Sequence, residues 1–183
     1  PEPGAATAAV IVRALGSPEA VAEMADRLAP ALLVIDEGLA EYADSPSAAA
    51  LLADHANLVV LRSLSLAYGM AGARVGAALA RPGTLARLAD VLEPYALPEV
   101  SVRLALQALD PSRLIETRQR LAAVRAERER LARALSREMA VEPGLGPVIV
   151  ARPSDPAAVA AAVARYGVAG DVDGERLRLP VSA

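Results

Sequence analysis

Two short apolar runs, ALLVID at residues 31–36 and NLVVLRS at 57–63, constrain the fold more than any other feature of this chain. Both are branched-aliphatic, too short for a self-sufficient helix, and end on polar groups: Asp36 and Glu37 in one case, Arg62 and Ser63 in the other. That pattern predicts buried strands of a parallel sheet with chemistry at their C-terminal ends. Helix signals lie between and around them. Ser17 is placed to cap a helix with Pro18 at its first position and Glu19 in its first turn, ending near Pro30. SPSAAALLADH reads as a second helix, capped by Ser45 or Ser47, and RVGAALA as a third strand. Strands alternating with helices predict an α/β layer with a mostly parallel sheet, whose ligands gather where the strands end. The run AAVIVRAL before Ser17 is compatible with either strand or helix.

Downstream, PGTLARLADVL and PEVSVRLALQALD both read as helices. From Pro111 to about Glu138, the apolar Leu114, Leu121, Val124, Leu131 and Leu135 recur at helical steps among arginines and glutamates, predicting a long helix with a solvated charged face. A turn at residues 143–147, a strand, a helix from Asp155 to Tyr166 closing on Gly167, and a strand–turn–strand at GVAGDVDGERLRLPV complete the chain. Turn chemistry around Gly174 accounts for Asp171 and Asp173 without a metal. A boundary inside the long helix divides residues 1–115, the larger α/β part, from residues 116–183, a small α+β domain.

Composition excludes several functions. Without cysteine there are no disulfides, thiolate metal sites or cysteine nucleophiles, which suits a cytoplasmic protein. Any Ser-His-Asp triad would have to use the single histidine, His55, whose context ADHANL suggests a solvent-facing helix end. All 19 basic residues are arginine, and 22 acidic residues bring the net charge to −3, so no basic excess attracts nucleic acid. The aromatics are 4 tyrosines, too few for base stacking. No apolar run is long enough to span a bilayer. The opening PEPGAATAAV lacks the basic head and apolar stretch of a secretory signal and has no initiator methionine, as expected of a fragment.

The segment SLSLAYGMAGARVG at residues 63–76 carries the chemistry. With Asp36 at the preceding strand end, its hydroxyls, its backbone N–H groups and Arg74 could together hold a phosphate and a cation. The alternative is that Ser63 and Ser65 merely cap a helix while Arg74 lies on the surface. Order and spacing favour the first reading. IDEGLAEY, then NLVVLRSLSLAYGMAGARVG, then the proline-containing helix and the long helix, resembles the pyridoxal-phosphate aminotransferases of fold type I. Within these it is most similar to the histidinol-phosphate aminotransferase group and relatives such as threonine-phosphate decarboxylases. The resemblance runs from about Ser17 to the C-terminus. It implies a partial large domain of the pyridoxal-phosphate transferase fold followed by the small α+β domain.

By that resemblance, Asp36 matches the aspartate that pairs with the pyridinium nitrogen and keeps the ring an electron sink. Ser63 and Ser65 match the phosphate-holding hydroxyls, Arg74 the arginine completing the phosphate cup, and Arg178 the arginine that binds the substrate carboxylate. The implied cofactor is pyridoxal 5'-phosphate, bound without a covalent bond. The implied substrates are a small amino acid or phosphorylated amino alcohol and a keto acid, and the implied assembly is a homodimer.

The departures are equally specific. Leu66 stands where the family has the lysine that bonds the cofactor and shuttles a proton, and the chain has no other lysine. Leu39 stands where a tyrosine would reach the ring oxygen, and only EPG at Glu2–Gly4 is left to represent an asparagine-proline motif. The family's glycine-rich turn and ring-stacking aromatic, from its N-terminal half, have no counterpart here, nor does its C-terminal helix. Leu66 therefore implies an aminotransferase-like protein that is inactive as written. The alternatives are a substituted lysine in an otherwise active enzyme, or a ligand-binding or interaction module retaining only the fold. Glu37, Glu41 and Tyr42 are read as pocket-edge or surface residues, Tyr68 as a possible lining residue, and Arg62 as facing solvent or a partner.

Overall fold

In a computed structural model, the structure describes residues 9–12, 17–43, 45–93 and 95–182. The chain forms two compact units that meet between Arg113 and Leu114. In the first, β1 (Ala9–Val12), β2 (Leu32–Asp36), β3 (Leu58–Ser63) and β4 (Gly76–Ala80) make one sheet in that order. β1, β2 and β3 run parallel, while β4 returns antiparallel to β3, with Ser63 opposite Gly76. The sheet is thus mostly parallel, but RVGAALA is its antiparallel edge. No crossover helix separates β3 from β4, and a parallel return would require one. The segment AAVIVRAL contributes a strand at Ala9–Val12, while the EPG motif lies outside the described residues.

Helix α1 (Pro18–Leu28) starts as its sequence predicts: Ser17 Oγ accepts the Ala20 N–H at 3.3 Å, with Pro18 in the first turn. Its buried Val21 and Ala25, one turn apart, pack with Leu33 and Ile35 of β2, Leu58 and Val60 of β3, and Ala48 to form the core. Only one face of β2 is fully buried, since Leu32, Val34 and Asp36 are half-buried. Asn57 ties the layer together by donating from Nδ2 to the carbonyls of Ala25 (2.8 Å) and Ala31 (3.0 Å). His55 is not solvent-facing: most of its ring is covered, and Nδ1 lies 3.3 Å from Asp26 Oδ1.

SPSAAALLADH does not form an α-helix. It makes a short 3-10 helix at Ala48–Leu51, with Ser47 as cap, followed by turns. Its first free N–H, from Ala48, is taken by Glu37 Oε1 at 2.7 Å, and the Ala50 and Leu52 amides close the tighter i to i−3 bonds. Helices α2 (Pro82–Ala89) and α3 (Glu99–Ala108) follow.

Helix α4 (Pro111–Leu135) crosses from the first unit into the second, burying Thr117, Leu121 and Val124 on one stripe. Its exposed side carries the i,i+3 pair Glu127–Arg130 (2.8 Å) and the i,i+4 pair Glu129–Arg133 (3.6 Å). The second unit's antiparallel sheet has the order β5 (Ala140–Val141), β6 (Val148–Arg152), β8 (Arg176–Pro180), β7 (Asp171–Asp173). β5 escaped the sequence reading because two residues carry no periodicity. Helix α5 (Pro156–Tyr166) is capped by Asp155, whose Oδ1 accepts the Ala158 N–H at 2.9 Å, and ends on left-handed Gly167.

Candidate functional site

The first unit brings Asp36, Ser63 and Ser65 together. β2 and β3 are adjacent and parallel, so Asp36 and Ser63 both sit at C-terminal strand ends. Between them lies Gly38. A Cβ there would come 3.1 Å from Asp36 Oδ1 and 3.7 Å from Ser63 Cβ, which marks a tight concave spot where a side chain would crowd the carboxylate. The Gly38 N–H donates to Asp36 Oδ1 at 2.9 Å and orients it. Ser63 Oγ accepts the Ser65 N–H at 3.1 Å, which turns the chain sharply and leaves the Ser63 hydroxyl proton as a donor.

After Ser65 the chain forms a loop closed at its base by the Leu64 N–H to Val75 carbonyl bond (3.1 Å) and inside by the Met70 N–H to Ser65 carbonyl bond (2.8 Å). Ala67 is buried in this loop. Leu66, immediately before it, is 50% exposed. Arg74 ends the loop in the left-handed region (φ 56°, ψ 40°), exposed, with Nη1 donating to the Ala71 carbonyl at 3.2 Å. The ladder places it two residues before Gly76, the partner of Ser63.

Arg178 belongs to the second unit. It sits on β8 opposite Asp171 and lines an open groove with Val148, Gly170, Asp171 and Pro180. Gly170 is packed so closely that a Cβ would come within 2.8 Å of the Arg178 carbonyl.

Two residues read as pocket-edge or surface are buried: Glu37, 1% exposed, and Tyr42. Arg62, its side chain 29% exposed, pairs with Glu37 (Nη1 to Oε2, 3.1 Å) and with Glu41. Burial opposes the Arg62 charge, but the hydrogen bonds and fields of Glu41 and Glu37 outweigh it and hold the guanidinium pKa above its ordinary value. Ser47 Oγ also donates to Glu37 Oε2, at 2.6 Å. The signal for this cluster was available: opposite charges at the ends of adjacent apolar strands. Among the described residues no cluster of His, Asp and Glu could hold a metal ion, and no helix is long and apolar enough to cross a membrane.

A carboxylate oriented by the Gly38 N–H thus stands at a strand end, and hydroxyl and guanidinium donors stand on the adjoining loop. The arrangement offers no amine for a covalent bond. Comparison with known proteins identifies the family and the fold. The family model for aminotransferase class I and II matches residues 14–169. Histidinol-phosphate aminotransferase of Stenotrophomonas maltophilia (strain R551-3) is 52% identical over 105 residues, covering 57% of this chain and 29% of that protein. The enzyme of the same name from Xylella fastidiosa (strain 9a5c) is 42% identical over 141 residues, covering 75% of this chain and 39% of its own length. The chain therefore spans between 29% and 39% of these two curated relatives. The crystal structure of histidinol-phosphate aminotransferase from Sinorhizobium meliloti in complex with pyridoxal-5'-phosphate superimposes with a TM-score of 0.75 at 24% identity, over 96% of this chain and 53% of that one.

Proposed function

Because the chain belongs to the class I and II aminotransferases, we propose that it holds pyridoxal 5'-phosphate non-covalently and does not carry out the amino-group transfer of its relatives. The observation that carries this reading is Leu66, half exposed in the loop between Ser63 and Arg74, in a chain without lysine. When bound, the cofactor supplies an electron sink for cleavage of bonds at a substrate α-carbon. The Asp36 carboxylate, oriented by the Gly38 N–H, would hold the proton on the cofactor's ring nitrogen. Ser63, Ser65 and Arg74 would hold its phosphate. Arg178, on β8 of the second unit, would bind the carboxylate of an amino-acid substrate. Leu66 cannot accept or return a proton. A homodimer and a cytoplasmic setting belong to the same proposal and rest on the family.

The test is a titration of the full chain with pyridoxal phosphate, followed by borohydride reduction and peptide mapping. The natural chain is expected to bind reversibly and retain no label in the loop after reduction. Leu66→Lys is expected to gain a reducible adduct mapped to position 66. A label fixed in the loop of the natural chain, or no binding by either form, would overturn the proposal.

A further inference from the structure

The charged cluster beside the candidate site has no part in the binding roles described above. Glu37 follows Asp36 and Arg62 precedes Ser63, so each charged residue is the chain neighbour of a candidate ligand group. In extended chain, neighbouring side chains point to opposite sides. Asp36 and Ser63 meet around Gly38, and Glu37 and Arg62 meet each other.

The cluster is heavily tied. Glu37 receives the Ser47 hydroxyl, the Ala48 N–H and Arg62 Nη1, at 2.6, 2.7 and 3.1 Å. Arg62 Nη2 reaches Glu41 in the 3-10 helix Ala40–Tyr42. Four chain segments are thereby fastened at one point: the end of β2, the 3-10 helices Ala40–Tyr42 and Ala48–Leu51, and β3. Stability alone is a poor reason for such a knot, since a well-packed apolar pair does as well or better in a buried position. Glu41 Oε2 is sealed from solvent without a hydrogen-bond partner among the described residues, a feature that costs stability. What a many-membered ionic knot supplies is fixed geometry.

We propose that Glu37 and Arg62 are positioning residues, whose ion pair, anchored by Ser47 and Glu41, holds the ends of β2 and β3 so that Asp36 and Ser63 stand at a set separation. This deepens the reading of a cofactor-holding site and rests on it for the identity of the ligand. The pair acts through its neighbours and touches no ligand.

The experiment compares the full chain with Glu37→Gln and with the double variant Glu37→Gln/Arg62→Met, which keeps a cap for the Ala48 amide and fills the arginine stem. Pyridoxal phosphate affinity is measured on folded protein, and hydrogen exchange is followed at the amides of Gly38 and Ser65, the two held by Asp36 and Ser63. The expected result is a Kd about tenfold higher, with exchange at Gly38 and Ser65 about tenfold faster while amides paired within β2 and β3 keep their protection. Equal acceleration at all amides marks a merely structural pair and overturns the proposal, as does natural protection at Gly38 and Ser65. If the natural chain fails to bind the cofactor, the functional reading falls, and the exchange pattern alone decides the positioning role.

Discussion

Arg74→Gly should move stability and ligand affinity in opposite directions. Arg74 sits at φ 56° and ψ 40°, the left-handed region. A residue with a Cβ is roughly 1–2 kcal/mol less comfortable there than glycine. Glycine gives back about 0.5–1 kcal/mol through the greater freedom of the unfolded chain. The lost bond from Nη1 to the Ala71 carbonyl is exposed and 3.2 Å long, so it removes little. The balance is a gain of about 0.5 kcal/mol, which for a chain of this size raises Tm by about 1–2 °C. The same substitution removes a cation from the proposed phosphate cup. A hydrogen bond to a charged group contributes about 1.5–3 kcal/mol, so Kd for pyridoxal phosphate should rise about 10- to 150-fold. Arg74→Ala is the control, since it loses the cation but keeps the Cβ, and so should weaken binding without raising Tm. Calorimetry and a fluorescence titration on the three proteins suffice. A glycine variant that binds as tightly as the natural chain, or that loses more than about 1 kcal/mol of stability, would refute the reasoning.

Asn57→Ala should cost about 2 kcal/mol in urea unfolding, because it strips donors from the Ala25 and Ala31 carbonyls; an unchanged midpoint would remove Asn57 as the tie between α1 and β2. Gly76→Ala places a Cβ 2.8 Å from the Arg62 carbonyl, a backbone atom that cannot step aside. A loss of about 1–3 kcal/mol is expected, with altered amide shifts at Ser63, and native stability would contradict the close approach. Glu142 is held below its usual carboxylate range, first by its hydrogen bond to Arg152 and then by the field of Arg176. Its contribution to stability is therefore intact above its ordinary value of 4.5 and disappears as pH falls through the lowered value. Glu142→Gln should flatten the acid limb of the stability curve over that window, and an unaltered limb would show that the pair contributes nothing.

Local codes were legible in the sequence. Ser17 with Pro18, and Asp155 with Gly167, mark helix ends through bonds closed within a few residues, and the structure keeps both. Asp36 and Ser63 could be placed at strand ends because short apolar runs that close on polar residues have few other uses. The direction of β4 was not legible, since strand composition is indifferent to polarity and only the route of the connection decides it. Nor was the burial of Glu37. An acid after a strand is usually exposed, and what buries this one comes from Ser47, Ala48 and Arg62, as many as 25 positions away in sequence. The 3-10 turn at Ala48–Leu51 has the same origin, a carboxylate from another segment taking the amide at which the helix begins.

The loop from Leu64 to Val75 is fastened at its base, where Ser63 lies opposite Gly76, and Leu66 projects from it half into solvent. Such an arm is a cassette. The sheet registers what happens at the base, whereas an exchange of leucine for another long side chain at position 66 is felt mainly by whatever is bound there. Folding and chemistry are thus exposed to selection separately. On the proposed reading, the side chain at position 66 can change in a single substitution with no compensating change in the core.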